Sequence, residues 1–111
     1  MIGISYYEGW TEEKVKQDII DSYCVEPNLV NKFEIIIAQC YSYQYEESSF
    51  FLLRDKETKE FFENHASHCS CYGFEGQFEP KQTTLTYLRS KHFAAWGGPS
   101  QEEIQEILKD F

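Results

Sequence analysis

The chain has 111 residues, of which 41% are hydrophobic and 17% aromatic. This composition excludes a disordered protein and predicts one folded domain, residues 1–111. Nineteen acidic residues against ten basic residues give a formal net charge of -9. Because phosphate binding needs clustered Lys and Arg, this balance argues against direct binding to nucleic acid or to anionic membranes. A partner with a basic surface is favoured, and simple solubility of an acidic surface is the alternative.

The N-terminal segment, Met-Ile-Gly-Ile-Ser-Tyr-Tyr-Glu, has neither a basic region nor a long apolar run. No window of the sequence approaches the ~20 apolar residues that a membrane span needs. We therefore expect no signal peptide and a cytoplasmic location. In that compartment the four cysteines are expected as reduced thiols or metal ligands rather than as two disulfides.

The first predicted elements are an edge strand and a helix. One face of the short apolar start carries Ile2, Ile4 and Tyr6. Thr11 is a natural N-cap, and the two glutamates that follow it suit a helix N-terminus. The apolar positions that recur at helical spacing are Val15, Ile19, Ile20 and Tyr23. Pro27 is expected to end this helix.

Residues 33–45 predict the longest strand, because the hydrophobic period changes to two. One face would carry Phe33, Ile35, Ile37, Gln39, Tyr41, Tyr43 and Tyr45. The next elements in order are a turn at 46–49, a strand at 50–54, a polar turn at 55–58 and a strand at 59–63. Such short connections predict an antiparallel meander.

The C-terminal third predicts two short helices. After Pro80 a helix is expected at about 84–91, and a flexible break follows at 97–99. Ser100 then caps the last helix, and Glu103, three residues later, completes a capping box. The expected fold is α+β, a three- to four-stranded antiparallel meander packed by an N-terminal helix and two short C-terminal helices.

Between the meander and these helices lies the segment His65-x2-His68-Cys69-x-Cys71, whose side chains are of the types that tetrahedral zinc prefers. One short segment rarely surrounds an ion, since His65 and Cys69 would lie ~13 Å apart in an extended chain. A zinc site of His68, Cys69 and Cys71 is therefore one hypothesis. Its further ligand would come from Cys24, Cys40 or His92.

The competing interpretation is that the protein has no cofactor and that this segment is structural. Cys69 and Cys71 would then be small buried hydrophobes in a tight turn, with His68 hydrogen-bonded to backbone carbonyls. A cysteine nucleophile activated by histidine is the catalytic alternative. Adjacent side chains usually point apart, so His68 beside Cys69 does not by itself define a catalytic pair. An enzyme is thus the less favoured class.

The run His-Cys-Ser-Cys-Tyr-Gly-Phe-Glu-Gly-Gln-Phe-Glu-Pro at 68–80, followed by Thr-Thr-Leu at 83–85, resembles a known signature. It is the signature of short, largely uncharacterised proteins of bacteriophages and prophages, in which Ser-His-Cys-Ser-Cys-Tyr-Gly precedes Glu-x-Gln-Trp-x-Pro. The resemblance covers about residues 34–90. It departs at Phe78, where Trp is usual, and at Lys81, where Glu is usual. It implies a small phage-type protein in the host cytoplasm and carries over no catalytic residue.

The resulting hypothesis is an interaction protein that inhibits or modulates a host factor, such as a nucleic-acid-binding defence complex of the CRISPR or restriction type. An acidic surface would occupy a site built for phosphate. The alternative is a metal-binding module or small enzyme centred on His68, Cys69 and Cys71. The partner-binding residues predicted are Tyr43, Tyr45, Glu46 and Glu47, and the acidic set that competes with them is Glu12, Glu13, Asp18 and Asp21.

Overall fold

The computed structural model describes residues 1–69, 73–90 and 101–109 and has the expected α+β fold. Its elements in chain order are β1 (Ile2–Ser5), α1 (Glu12–Tyr23), α2 (Pro27–Asn31), β2 (Phe33–Tyr43), β3 (Glu46–Asp55), β4 (Phe61–Cys69), β5 (Lys81–Thr83), α3 (Leu85–Leu88) and α4 (Gln101–Leu108). The strands form one sheet in the order β1-β2-β3-β4-β5. The sheet has one strand more than the four predicted, because the short β5 extends the meander beyond β4, and β1 is the predicted edge strand.

The strand β1 gives the sheet a parallel edge. It pairs in parallel with β2, and Ile2 lies opposite Ile37, whereas all the other pairs are antiparallel. A parallel pair needs a crossover connection, and α1 with α2 supplies it. The predicted meander is therefore confirmed for β2, β3 and β4, and the crossover adds the first strand.

Helix α1 begins as its sequence predicts, but it ends at Tyr23, before Pro27, which begins α2 instead. The Thr11 side chain accepts a hydrogen bond of 3.2 Å from the Lys14 backbone amide, which satisfies one of the free donors of the first turn. Cys24 ends the helix in the left-handed region with a φ of 55°. The apolar stripe of the helix is fully buried at Val15, Ile19 and Tyr23.

Helices cover both faces of the sheet, so β3 contains a continuous run of apolar residues. The four consecutive side chains from Phe50 to Leu53 are all buried. On one face Phe51 and Leu53 pack with α1, and on the other Phe50 and Leu52 pack with Leu88 and Leu108 of the C-terminal helices. The central strands are thus buried between two helical layers.

The prediction that one face of β2 carries every odd-numbered residue is wrong beyond Ile35. Ile35 lies opposite Leu53 and Ile37 opposite Leu52, so a bulge at Ile36 inserts one extra residue. The bulge moves all later side chains to the other face. The backbone amide of Ile35, beside the bulge, donates a 2.8 Å hydrogen bond to Glu12 of α1.

Two predicted turns are wrong, and both corrections move site residues. The first hairpin turns at Gln44 and Tyr45, so 46–49 belongs to β3. Gln44 takes the left-handed conformation, with a φ of 56°, that a two-residue loop requires. Strand β4 runs to Cys69, so the histidines and the first cysteine of the His/Cys segment lie in a strand and not in a turn.

The C-terminal predictions are confirmed in outline. Thr84 caps α3 by accepting a hydrogen bond from the Tyr87 amide, but this helix ends earlier than expected, at Leu88. Helix α4 is present. The predicted break at 97–99 and the cap at Ser100 lie outside the described residues. Among the described helices, none is long and apolar enough to cross a membrane.

Candidate functional site

Polar side chains form a row across the three central strands at the hairpin end of the sheet. Ser42 lies opposite Glu47, and Glu47 lies opposite His68, so one residue of each strand shares the row. Cys40, two residues before Ser42 on β2, points to the same face. This is the face that α1 covers, so the row forms the floor of a cleft beneath the helix.

Three other segments form the walls of this cleft. They are the turn after β1, the second half of α1 and the loop after the His/Cys segment. The cavity has a volume of about 400 Å³. We call it the acidic cleft, and its lining residues are Tyr6, Tyr7, Asp18, Ser22, Cys40, Ser42, Glu47, His68, Gly73, Phe74 and Glu75.

The turn after β1 forms one wall because the chain folds back against Gly3. Any side chain at Gly3 would overlap the backbone carbonyl of Tyr7, so the close approach requires glycine. Ser5 turns the chain with a φ of 58°, and the Glu8 amide donates to the Ser5 carbonyl at 3.0 Å. The buried Tyr7 hydroxyl then donates to Asp18 at 2.8 Å, which links this wall to α1.

Phe74 fixes the loop wall between the helix and the sheet. Its ring stacks on Tyr23 of α1, with centroids 4.8 Å apart and planes 9° from parallel. The rings of His68 and Phe74 form a T-shaped pair, with centroids 4.3 Å apart and planes 87° from parallel. The Gly76 amide donates to the Tyr23 carbonyl, and the Tyr23 hydroxyl lies 2.6 Å from Ser49 Oγ. These contacts place His68 and the loop on the same side of the cleft.

The electrostatic character of the cleft is acidic. Asp18, Glu47 and Glu75 line it, and among its described lining residues none is Lys or Arg. Burial, together with the charges of Glu47 and Asp18, raises the pKa of the Cys40 thiol to about 12. Burial also raises the pKa of the Tyr6 hydroxyl, with Asp18 adding to the shift. The cleft therefore resists additional negative charge.

His68 is held by a hydrogen bond that fixes its tautomer. Its Nδ1 atom lies 2.7 Å from the carbonyl oxygen of Cys69, which only accepts, so Nδ1 carries a proton. Its Nε2 atom faces the cleft, 3.8 Å from Glu47 Oε2. Cys40 Sγ lies at the same distance, 3.8 Å, from that oxygen. Glu47 thus stands between the thiol and the imidazole.

This arrangement does not favour thiolate chemistry. A nucleophilic cysteine needs a lowered pKa and a base within reach, whereas the neighbour of Cys40 is a carboxylate that opposes ionisation. Since the pKa of Cys40 is about 12, on the order of one thiol in ten thousand would be ionised at pH 8. The cleft is better suited to hold a cation.

We predict that Cys40 resists alkylation in the folded protein. With iodoacetamide at pH 8, the exposed Cys24 should react and Cys40 should stay unmodified until the protein is denatured. Mass spectrometry of peptides from native and denatured samples measures both sites. Equal rates of modification at Cys24 and Cys40 in the folded state would contradict this account of the cleft.

Comparisons of this chain with protein-family profiles, with curated proteins and with solved structures find no match. The case for a function therefore depends on the geometry of the residues themselves.

The structure brings only some of the predicted zinc ligands together, because His68 and Cys40 both line the acidic cleft whereas Cys69 does not. His68 and Cys69 are neighbours on β4, and successive strand side chains point to opposite faces. His68 faces the acidic cleft with Ala66, while His65 contacts Phe50 on the opposite face. Cys71 and His92 lie outside the described residues. No group of three His, Cys, Asp or Glu side chains that would suit a metal is found within the described ranges, and zinc binding stays a prediction.

The predicted partner-binding residues are divided between two faces. Tyr45 lies at the hairpin tip with 80% of its surface exposed. Glu46 and Glu47 are successive residues of β3, so only Glu47 points into the acidic cleft. The side chain of Tyr43 lies outside what the structure describes. Glu46 and Glu47 therefore do not form a single acidic patch. Glu47 instead lines the acidic cleft together with Asp18, a residue of the alternative acidic set on α1.

Sequence reasoning missed most of the other walls of the cleft. Tyr6, Ser22 and Glu75 are far apart along the chain, and no local spacing relates them. One signal was present, because Asp18 falls off the apolar stripe of α1 while lying next to it in sequence. A polar residue at the border of a buried stripe is well placed to line a cleft at the edge of a helix.

Proposed function

We propose that this protein is a small phage-type interaction protein that binds a basic surface of a host protein through its acidic cleft. The target class proposed is a nucleic-acid-binding defence complex of the CRISPR or restriction type. The observation that carries the proposal is the convergence of Asp18, Glu47 and Glu75 on one cavity whose described lining contains no Lys or Arg. A partner that binds phosphates presents the Lys and Arg side chains that such a cavity attracts.

The distribution of charge along the chain supports binding of a basic partner at the hairpin end of the sheet. Neither 33–53 nor 60–80 contains a Lys or Arg. At the hairpin end of the sheet Tyr43 pairs with Glu46, and at the other end Phe33 pairs with Asp55. Lys32, Lys56 and Lys59 flank this second end. A basic partner is therefore attracted to the hairpin end, where Ser42, Glu47 and His68 line the cleft.

Glu47 is the carboxylate best placed to receive a cationic side chain. Its side chain is 44% exposed, and its contacts with His68 and Cys40 are both 3.8 Å long. An Arg side chain entering the cleft would form shorter, charge-assisted hydrogen bonds with this carboxylate. Tyr6, which is 57% exposed, offers an aromatic face for the same cation. The exposed Tyr45 at the hairpin tip supplies a second anchor.

The charge-reversal variant Glu47→Lys tests the proposal. In bacteria carrying a CRISPR or restriction system, the wild-type protein should raise the plaquing efficiency of a targeted phage, and the variant should lose most of this effect. The reason is that Lys at this position repels the basic surface and fills the cleft. The association rate of the wild-type protein with the purified defence complex should also fall as the salt concentration rises from low to physiological strength.

Glu57→Lys is the matched control, because it makes the same charge change at an exposed site in the β3–β4 turn. It should retain protection of the phage. Equal loss in the two variants would assign the effect to net charge alone. If the wild-type protein protects phage in none of the defended strains, the defence target is wrong, and binding insensitive to both salt and Glu47→Lys would reject the cleft.

A further inference from the structure

A second pocket lies between α1, α2 and the β3–β4 turn and shares no lining residue with the acidic cleft. Its volume is about 460 Å³, within the range of pockets that hold small molecules. Ile20 and Pro27 supply apolar wall. The other lining residues are Glu12, Glu13, Lys16, Gln17, Asn31 and Lys56.

Lys16 is unusually buried for a lysine, with 9% of its surface exposed. The nearest carboxylate oxygen to its Nζ atom is Glu12 Oε2, at 3.9 Å, which is beyond hydrogen-bond distance. The other oxygen of Glu12 accepts the 2.8 Å hydrogen bond from the Ile35 amide, so the carboxylate is held by the strand. Within the described residues, the Lys16 amine has no acceptor at hydrogen-bond distance and lines the pocket.

A second lysine accompanies it. Lys56 lines the same pocket from the β3–β4 turn, where its backbone amide is fixed by a 3.1 Å hydrogen bond to the Lys32 carbonyl. Burial lowers the pKa of the Lys16 amine, and the charge of Lys56 adds to the lowering, while the carboxylates of Glu12 and Glu34 act in the opposite direction. Burial and a neighbouring cation are the two conditions that leave a lysine amine neutral and nucleophilic.

We propose that Lys16 is a reactive amine that condenses with the carbonyl group of a small aldehyde or ketone bound in this pocket. The nitrogen lone pair attacks the carbonyl carbon, and the C=O π pair takes up a proton to give a carbinolamine. Loss of the hydroxyl as water gives the imine, so one amine and one carbonyl compound yield one imine and one water. Glu12 Oε2, at 3.9 Å, is the group placed to take the proton from Nζ and return it to the leaving hydroxyl.

The same pocket is poorly suited to a simple anion. Glu12 and Glu13 line it beside the two lysines, so a carboxylate or phosphate would meet like charge as well as opposite charge. A neutral carbonyl compound meets no such repulsion, and Ile20 with Pro27 can cover its apolar part.

Reductive trapping tests this proposal on the intact chain. The folded protein is treated at pH 7 with propionaldehyde and sodium cyanoborohydride, which reduces the imine to propyl-lysine, and the sites are located by peptide mass spectrometry. Lys16 should be modified several-fold faster than the exposed Lys32 and Lys59. If Lys16 is modified no faster than Lys32 and Lys59, the proposal is overturned. A slower rate would mean that burial only blocks access of the aldehyde to the Lys16 amine.

Two variants of the same turn then separate the effect of Lys56 from that of net charge. Lys56→Met removes the neighbouring cation and should slow modification of Lys16 several-fold at pH 7, with the pH-rate curve moving to higher pH. Lys59→Met removes an exposed charge of the same turn and should leave the rate unchanged. Circular dichroism checks that both variants fold. Equal rates in Lys56→Met and wild type would overturn the activating role of the lysine pair.

Discussion

Replacing Phe74 by alanine is expected to lower the free energy of unfolding by about 3 kcal/mol, which is roughly 15 °C in the melting temperature of a domain this size. The ring is 7% exposed and lies between Tyr23 and His68, with centroid distances of 4.8 and 4.3 Å. Its removal leaves a cavity and takes away the stacking contact that holds the loop on α1. The His68 ring loses its T-shaped contact with Phe74, so the acidic cleft should lose its shape as well.

Chemical denaturation of wild type and Phe74→Ala measures the change in stability. Tyr45→Ala is the matched control, because it removes an aromatic ring that is 80% exposed at the hairpin tip. A surface substitution of that kind should change stability by less than about 0.5 kcal/mol. If the two variants are equally stable, Phe74 does not hold the loop against the helix.

The helix α1 was predictable because all its signals are local. Thr11 caps it, apolar residues recur with a helical period, and the proline that starts α2 follows soon after its end. Each signal acts within one or two helical turns, so the local sequence is enough to predict this helix. The same holds for α3, where Thr84 caps the first turn.

The hairpin between β2 and β3 misled prediction for two physical reasons. The polar run Glu-Glu-Ser-Ser at 46–49 has the composition of a turn, yet Ser49 is buried where it meets the Tyr23 hydroxyl and Glu47 lines the cleft. The actual turn uses Gln44 in the left-handed region, without the Gly or Asn that usually marks such a loop. Polar side chains that line an internal cleft are indistinguishable from loop residues in a single sequence.

The faces of β2 were predictable only as far as its bulge. A shift of one residue exchanges the two faces of a strand, and the bulge at Ile36 has this effect on Cys40 and Ser42. Because both faces of the sheet are covered, apolar residues continue on both sides and no break in the pattern marks the bulge. This is why the sequence offers Cys40 only as one of three possible further ligands for the site of His68 and does not place it on the face that His68 shares.

Prediction recognised parts of the candidate site and missed their arrangement. The sequence predicts His68 as a metal ligand and Glu47 as a surface charge, but it does not relate the two residues to each other. They are adjacent in space because β3 and β4 pair in a register that the sequence does not specify. The parallel pairing of β1 with β2, which brings in Tyr6 and Tyr7, depends on a crossover of two helices and is equally non-local.

Substitution of Gly3 by alanine is expected to displace the turn after β1 and to open the acidic cleft from that side. A Cβ atom at this position would overlap the Tyr7 carbonyl oxygen and would lie 2.7 Å from the carbonyl carbon. Both partners are backbone, so the strain is relieved only by movement of β1 or of the turn, at a cost of about 2–3 kcal/mol. The partly buried hydrogen bond from the Tyr7 hydroxyl to Asp18 should be lost with the movement.

Gly9→Ala separates this steric effect from backbone strain. Gly9 has a φ of 81°, and a Cβ atom there would meet nothing within 4 Å, so alanine should cost about 1 kcal/mol and leave the cleft intact. Near-UV circular dichroism reports the environment of the tyrosines, and it should change in Gly3→Ala but not in Gly9→Ala. Because the turn carries Tyr6, Gly3→Ala should also weaken binding of a basic partner. Unchanged tyrosine spectra and wild-type stability in Gly3→Ala would mean that the turn does not depend on its approach to Gly3.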